Sequence, residues 1–483
     1  MSTEAARIQA PAAPGEGDVI IGLEVHCQLN LLASKLFCQC PQGYQEDRPN
    51  SHTCPVCLGL PGALPVINRR AVECAVMVGL ALGCEVAERT QFYRKNYYYP
   101  DLPRGFQISQ YDYPVATGGK VIVESEGNVR VVRIRRVHME EDPGRLVYPG
   151  TIDSSRYVMV DYNRSGVPLL EVVTEPDLRS PKEARALVTK LRTILEYLGF
   201  VDGGREGAMR VDANISLAGG KRTEVKNISS YKGVERALGF EITRQRNLRR
   251  RGATVVQETR HFDAAKNITI SLRVKETEQD YRYFPEPDLP PMRLDGWAQR
   301  LRECLPELPD AKQARFVSQY RISAEHARSL TADLGVANYF EAVAAEVEHH
   351  LAATWIADVL KGELNYRDRG IASAFPPGQM AGLLSRLSSG SITDKGAVEV
   401  VRALLDGAAS VEHVIVGRGL GVAESDAVSH AVAEAISEHP QAVADYRAGR
   451  AEALNYLVGQ VMRKTRGQAP PDEVNRRLRE ALG

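Results

Sequence analysis

Tyr283-Phe-Pro-Glu-Pro-Asp-Leu-Pro-Pro291 carries four prolines in nine residues. Proline fixes φ and lacks an amide proton, so this stretch reads as an extended linker, neither helix nor central strand. The hydrophobic pattern changes across it. Before it, short β-type runs dominate: Val19–His26, Val121–Glu124, Val129–Val137, Tyr157–Asp161, Met209–Leu217, Thr223–Ile228 and Ile268–Val274. In the run 129–137, alternation puts Arg133, Arg135 and Val137 on one face. Two helices interrupt the strands. One spans Asn68–Leu82; the other opens with Ser180 as N-cap, Pro181 at N1 and Glu183 at N3, and runs to about Tyr197. After Asp295 the pattern is helical, in segments 296–304, 309–319, 323–333, 336–350, 352–361, 393–406, 424–437, 440–447, 450–465 and 471–482. Phe375-Pro-Pro-Gly378 breaks that series, and the glycine-rich 417–421 reads as a turn. The fold class is α+β. The expected divisions are a leader at 1–17, a strand-rich body at 18–293, a helical domain at 294–408 and a small helical tail at 409–483.

The chain has 483 residues, enough for about three domains. Lys plus Arg and Asp plus Glu are 61 each, so bulk charge selects no partner and attraction for a polyanion must come from local patches. No apolar run approaches the ~18–20 residues that span a bilayer. Met1–Gly17 is rich in Ala, Pro and Gly and has no apolar segment of the secretory kind, so a cytoplasmic protein is expected.

Four of the eight cysteines fall within twenty residues, as Cys38-Gln-Cys40 and Cys54-Pro-Val-Cys57. Two such pairs can surround one tetrahedral Zn²⁺, and four thiolates leave no open position for catalysis, so a structural zinc is the expectation. Cys27, Cys74, Cys84 and Cys304 read as small packed residues.

Carboxylates recur at i, i+2 spacing in strand-like segments: Glu24 with His26, Glu140 in His138-Met-Glu-Glu-Asp142, Asp212 between Arg210 and Asn214, and Glu224 with Lys226. One such segment alone is ordinarily a solvated sheet face. Four together suit a hard cation, since Mg²⁺ takes carboxylate oxygens, phosphates and water. A P-loop is absent, as are the kinase signatures.

Longer motifs carry a family resemblance: Ile21–Cys27 (IGLEVHC), Pro55–Arg69 (PVCLGLPGALPVINR), Tyr93–Tyr113, His138–Pro143 (HMEEDP), Asp161–Lys182, Arg210–Leu217 (RVDANISL), Asp280–Met292 and Asn455–Arg476. From residue 18 to the C-terminus the chain resembles the GatB family, the B subunits of the tRNA-dependent amidotransferases. The resemblance implies a cradle-like catalytic domain, a helical domain and a tail similar to the YqeY family. It implies a ligase that uses ATP and Mg²⁺ to phosphorylate the side-chain carboxylate of glutamate on tRNA(Gln), or of aspartate on tRNA(Asn). Ammonia then displaces the phosphate. The implied partners are an amidase (GatA), which frees ammonia from glutamine, a small clamp protein (GatC), and the misacylated tRNA, in a heterotrimer with no membrane contact.

Within that chemistry, oxide is too poor a leaving group for an amine to displace, and an acyl phosphate supplies a better one. Glu24, Glu140 and Glu224 are the expected metal ligands, with His26 and Asp212 as further ligands or orienters. Strand alternation favours Glu140 over Glu141. Arg164, Arg210 and Lys226 are candidate phosphate clamps, and Asn163, Asn214 and Asn227 candidate amide donors. Tyr93–Tyr99 interleaves bases and aromatics, which can either stack an unpaired nucleotide or pack in the cradle. Asp101, Gln107 and Gln110 follow as possible lining of a passage.

Five arginines lie within 244–251, and from Arg447 onward eight basic residues face four acidic ones. Arg463, Lys464 and Arg466 are therefore candidate tRNA contacts. Two other functions compete. A non-catalytic tRNA-binding scaffold would have no use for Glu24, His26, Glu140 and Asp212 together. A zinc hydrolase would need an open metal position.

Overall fold

A computed structural model describes residues 15–43, 47–150, 155–205, 207–274, 281–421, 425–465 and 468–483. The expected leader lies outside them except at its last three residues. The chain forms two compact units, Met1–Leu308 and Pro309–Gly483. The α+β class holds: strands fill the first unit and helices the second.

The first unit is built on a sheet of twelve strands among the described residues. They are β1 Val19–Gln28, β2 Glu85–Val86, β3 Tyr93–Asn96, β4 Phe106–Ser109, β5 Ala116–Ser125, β6 Asn128–Glu141, β7 Pro168–Thr174, β8 Met209–Leu217, β9 Thr223–Ile228, β10 Glu258–Asp263, β11 Ile268–Val274 and β12 Phe284–Pro285. The order is β11-β10-β9-β8-β1-β7-β6-β4-β3-β12, with β5 on β6 and β2 on β5. Pairing is antiparallel except between β9 and β10. Three helices cover one face: α1 Arg69–Ala81, α2 Pro181–Tyr197 and α3 Tyr231–Arg250. Each starts at a side-chain cap. Asn68 accepts from Arg70 and Ala71, Ser180 from Glu183, and Ser230 from Gly233.

Alternation sorts the two faces. Ile21, Leu23, Val25 and Cys27 of β1, with Val211, Ala213 and Ile215 of β8, are buried in one core with Val76 of α1, Leu187 of α2 and Leu238 of α3. Their neighbours Glu24, His26, Arg210, Asp212 and Asn214 consequently turn to the opposite face.

Two expectations need correction. Arg133 and Arg135 do not share a face with Val137. The β6–β7 register runs Val173↔Arg136, then Thr174↔Ile134, so one residue of β6 is bulged. Val137 drops into the core, while Arg133 and Arg135 stay out and bind Asp177 and Glu175. Phe375–Gly378 is not only a break: Pro377 is the first residue of a helix, Pro377–Ser388, which buries Met380, Leu383 and Leu384.

The proline-rich stretch is extended at its start, where Phe284–Pro285 pairs with Tyr93–Arg94 at the sheet edge, and then turns, Leu289 N donating to Glu286 O at 3.3 Å. Its own Leu289, and Leu294 and Leu301 beyond it, pack in the sheet core, so the first unit continues to Leu308. In the second unit one hydrophobic cluster gathers around Phe316, Phe340 and Leu384, and a separate one around Leu457, Val474 and Leu478. The glycine-rich turn ends the helix Val411–Arg418, with Gly419 left-handed at φ 59°. No helix among the described residues is long and apolar enough to cross a membrane.

Candidate active site

The open face of β9-β8-β1-β7-β6 carries most of the candidate residues. Register fixes which side chains meet: Glu24 lies opposite Asp212, and His26 is flanked by Arg210 on one side and Glu171 on the other. Glu171 in turn lies opposite His138, and Asn214 opposite Glu224.

The acidic side chains form two groups rather than one. In each, one ligand atom per residue lies within 4.8 Å of the others: Glu24, Asp212 and Glu224 in the first, His26, Glu140 and Glu171 in the second. The sequence reading treated Glu24, His26, Glu140 and Glu224 as one set. Strand pairing separates them because residues 24 and 26 lean toward different neighbours along β1. Glu171 was missed altogether. The signal was present, since it is the lone charge in the apolar strand Pro168–Thr174, every residue of which is buried.

In the first group Asn214 Nδ2 donates to Glu24 Oε1 at 3.0 Å. Lys226 Nζ sits 3.1 Å from both Asp212 Oδ2 and Glu224 Oε1. Burial pushes the Glu24 carboxyl up, reinforced by the charge of Glu171. In the second, His26 Nε2 is 3.6 Å from both Glu140 Oε1 and Glu171 Oε2. Burial works to raise the Glu171 carboxyl, but His138 and His26 outweigh it and hold it below the usual carboxylate range. The first group is an array of carboxylate oxygens, the donor type a hard divalent cation takes, and the second sets two carboxylates beside the His26 imidazole nitrogen. A cation bound there would offset the burial, and the neighbouring negative charges, that raise Glu24.

Around these groups stand committed residues. Glu141 faces away from Glu140, bound by Arg104 and by the Ile108 amide at 2.9 Å. Asp142 is fully buried; Arg210 and Gln28 donate to it, and Arg164 Nε lies 3.8 Å away. Burial tends to raise that carboxyl, but the two guanidiniums pull it below its ordinary range. Asn227 reaches Asp212 through its backbone amide at 3.3 Å and turns its side chain to His261. Asn163 does not join the face. Its amide group accepts from His52 N and donates to Arg48 O, tying down the cysteine loop. On β3, Lys95 Nζ lies over the Tyr281 ring at 5.0 Å, and Tyr111 stacks on Tyr283 at 4.2 Å. Burial alone would lower the Lys95 ammonium, but Glu140 and its neighbours hold it above its ordinary value.

Cys38, Cys40, Cys54 and Cys57 converge, with sulfur atoms within 4.8 Å of one another. Cys57 Sγ is 3.8 Å from Cys54 Sγ and 4.0 Å from Cys40 Sγ. A tetrahedron of Zn–S bonds of about 2.3 Å has edges of about 3.8 Å, so the spacing fits a metal. Lys35 is wholly buried with its ammonium 3.7 Å from Cys57 Sγ. Hydrogen bonding from Cys38, with that ammonium beside it, pulls the Cys57 thiol well down to about 4.

The basic candidates separate. Lys464 is paired with Glu434 at 3.0 Å and Glu438 at 2.8 Å. Arg463 is exposed, and Arg466 lies outside the described residues. In α3, Arg244 is bound to Glu241 and Glu258, leaving the outer end of the arginine run at the surface.

Comparison with known proteins gives a consistent result. Residues 19–299 match the family model described as the GatB/GatE catalytic domain, and residues 338–482 match the one described as the GatB domain. The chain is 56% identical over 464 residues to the aspartyl/glutamyl-tRNA(Asn/Gln) amidotransferase B subunit of Methanococcoides burtonii, covering 96% of this chain and 98% of the relative. It is 56% identical to the protein of the same name from Methanosarcina mazei, covering 93% and 95%. With that from Haloquadratum walsbyi the identity is 52%, covering 96% and 97%.

Proposed function

The chain belongs to the family of aspartyl/glutamyl-tRNA(Asn/Gln) amidotransferase B subunits, and from that premise we propose that its sheet face activates and amidates a misacylated tRNA. The substrates are glutamate on tRNA(Gln), aspartate on tRNA(Asn), or both. ATP phosphorylates the side-chain carboxylate, and ammonia from a glutaminase partner replaces the phosphate. The single observation that carries this reading is the pair of acidic groups on one face, with Arg210, Lys226 and Lys95 at their borders.

The residues divide the work. Glu24, Asp212 and Glu224, and His26, Glu140 and Glu171, would each hold a divalent cation. Mg²⁺ bound there supplies positive charge against phosphate oxygens. Asn214 orients Glu24, and Asp142 keeps Arg210 aimed along β8. Lys226 and Arg210 are positioned to neutralise phosphate and substrate carboxylate, two anions that otherwise repel. Four thiolates at Cys38, Cys40, Cys54 and Cys57 suit a structural Zn²⁺ that closes the loop beside Asn163. Partners of the amidase (GatA) and small clamp (GatC) types follow from the family, and the tail is proposed to meet the tRNA through Arg463 and its neighbours.

The test is amide formation on radiolabelled misacylated tRNA by the assembled enzyme, comparing wild type with Glu24→Gln. Removing a charged ligand should slow turnover by about 100-fold or more. Turnover at the native rate would leave only a tRNA-binding scaffold.

A further inference from the structure

The turn after the tyrosine run carries Asp101, whose backbone is fixed on three sides. Its carbonyl accepts from Gly144 N at 2.8 Å, Leu102 N donates to Tyr99 O at 3.0 Å, and the Tyr162 hydroxyl donates to Pro100 O at 2.9 Å. Its side chain is held only in part, through its own backbone amide. Oδ1 is buried from solvent and meets no hydrogen-bond donor. A carboxylate oxygen that has lost water and gained no donor is costly, and burial pushes this carboxyl up against the pull of Arg164.

The nearby cations are committed elsewhere. Arg164 donates to the carbonyls of Pro143 and Gly144, and Arg210 donates to Asp142. Both act on Asp101 only through space. Tyr97 feels the charges of both Asp101 and Glu140, and Arg210 does so as well. Asp101 is therefore held on a fixed turn with one carboxylate oxygen lacking a donor, its carbonyl tied to Gly144, two residues beyond the Asp142 that binds Arg210.

An aminoacyl ester presents an anion and a cation close together: the side-chain carboxylate and the α-ammonium. The arginines and lysines of the face suit the first. Resting on the substrate assigned above, we propose that Asp101 binds the α-ammonium of the aminoacyl group. It thereby selects aminoacyl esters over esters whose nitrogen is already acylated, as in a peptidyl-tRNA. An amide nitrogen offers a single uncharged donor, and its acyl group occupies space beside the carboxylate.

The experiment measures kcat/KM of the assembled enzyme on glutamyl-tRNA and on N-acetylglutamyl-tRNA, with ATP and ammonium. Wild type should disfavour the acetylated substrate by roughly 10- to 100-fold, the worth of a charge-assisted hydrogen bond. Asp101→Asn and Asp101→Ser should lose activity on the native substrate, narrowing the gap to about 3-fold or less. The ratio is taken on a single preparation, so the folded fraction cancels. Equal use of both substrates by wild type overturns the proposal, as does a full gap retained by both variants. If wild type amidates neither substrate, the parent reading fails and this one with it. Amidation of the native ester with no change of ratio in the variants removes Asp101 alone.

Discussion

His138 Nε2 donates to Glu171 Oε2 at 3.0 Å, with His138 97% buried and Glu171 scarcely more exposed. Arg136 Nε approaches His138 Nδ1 at 3.4 Å, which makes Nδ1 the acceptor and leaves the proton on Nε2. Such supports orient a metal-binding carboxylate and tune its affinity. His138→Phe should weaken Mn²⁺ binding to the full chain by about 10- to 100-fold, with His138→Gln recovering part of it. Calorimetric titration reads this; equal affinity in all three proteins would show that His138 only fills space.

The cysteine set should hold one zinc per chain. Cys57→Ser should lower the zinc content measured by plasma mass spectrometry and the melting temperature together. Chelation of the wild-type protein should reproduce the shift. Zinc retained at the wild-type level in the variant would contradict a four-thiolate site.

Asp177, just beyond β7, anchors β6 through Arg133. It accepts from the Arg133 amide at 3.0 Å and from its guanidinium at 2.9 and 2.7 Å. Burial works to raise its carboxyl, but Arg133's hydrogen bonds and charge hold it below the ordinary range. A depressed folded value means stabilisation that is present above the unfolded aspartate value of ~4 and is lost as pH falls through the folded one. Asp177→Asn should therefore lower the melting temperature at pH 7 by a few degrees, with the difference shrinking below about pH 4. Melts across pH check this; a constant offset would show that the charge is not responsible.

In the tail, Arg463 and Lys464 are both exposed, but Lys464 is engaged by two glutamates. Arg463→Glu should weaken tRNA binding and reduce the slope of log affinity against log salt by about one phosphate contact. Lys464→Gln should act less on that slope and more on the melting temperature. Filter binding at several salt concentrations separates the two, and an unchanged slope for Arg463→Glu would remove the tail contact.

Much of this was legible beforehand because alternation is local. Once Glu24 and His26, or Asp212 and Asn214, stand two apart in a strand, they share a face wherever the strand goes. Which strand lies beside which is not local. The β1–β8, β1–β7 and β6–β7 registers decide that His26 meets Glu171 and Glu140 while Glu24 meets Asp212, and a hydrophobic pattern does not encode register between distant strands. Glu171 escaped because its strand looks like pure core. The bulge that turns Val137 inward is marked only by the doublet Arg135-Arg136, which interrupts the alternation of Val132-Arg-Ile-Arg. By contrast, Ser180-Pro-Lys-Glu183 and the two cysteine pairs act within a few residues, and both were readable as written.

The central claim is that the substrate carboxylate is phosphorylated on the face holding Glu24, His26, Glu140 and Glu171. The direct measurement uses misacylated tRNA with ¹⁸O at both oxygens of the side-chain carboxylate, turned over with ATP and ammonium by the assembled enzyme. The account predicts one ¹⁸O in the released phosphate for each amide formed, and loss of both products in Glu140→Gln. Amide formed at the full rate with unlabelled phosphate would contradict it.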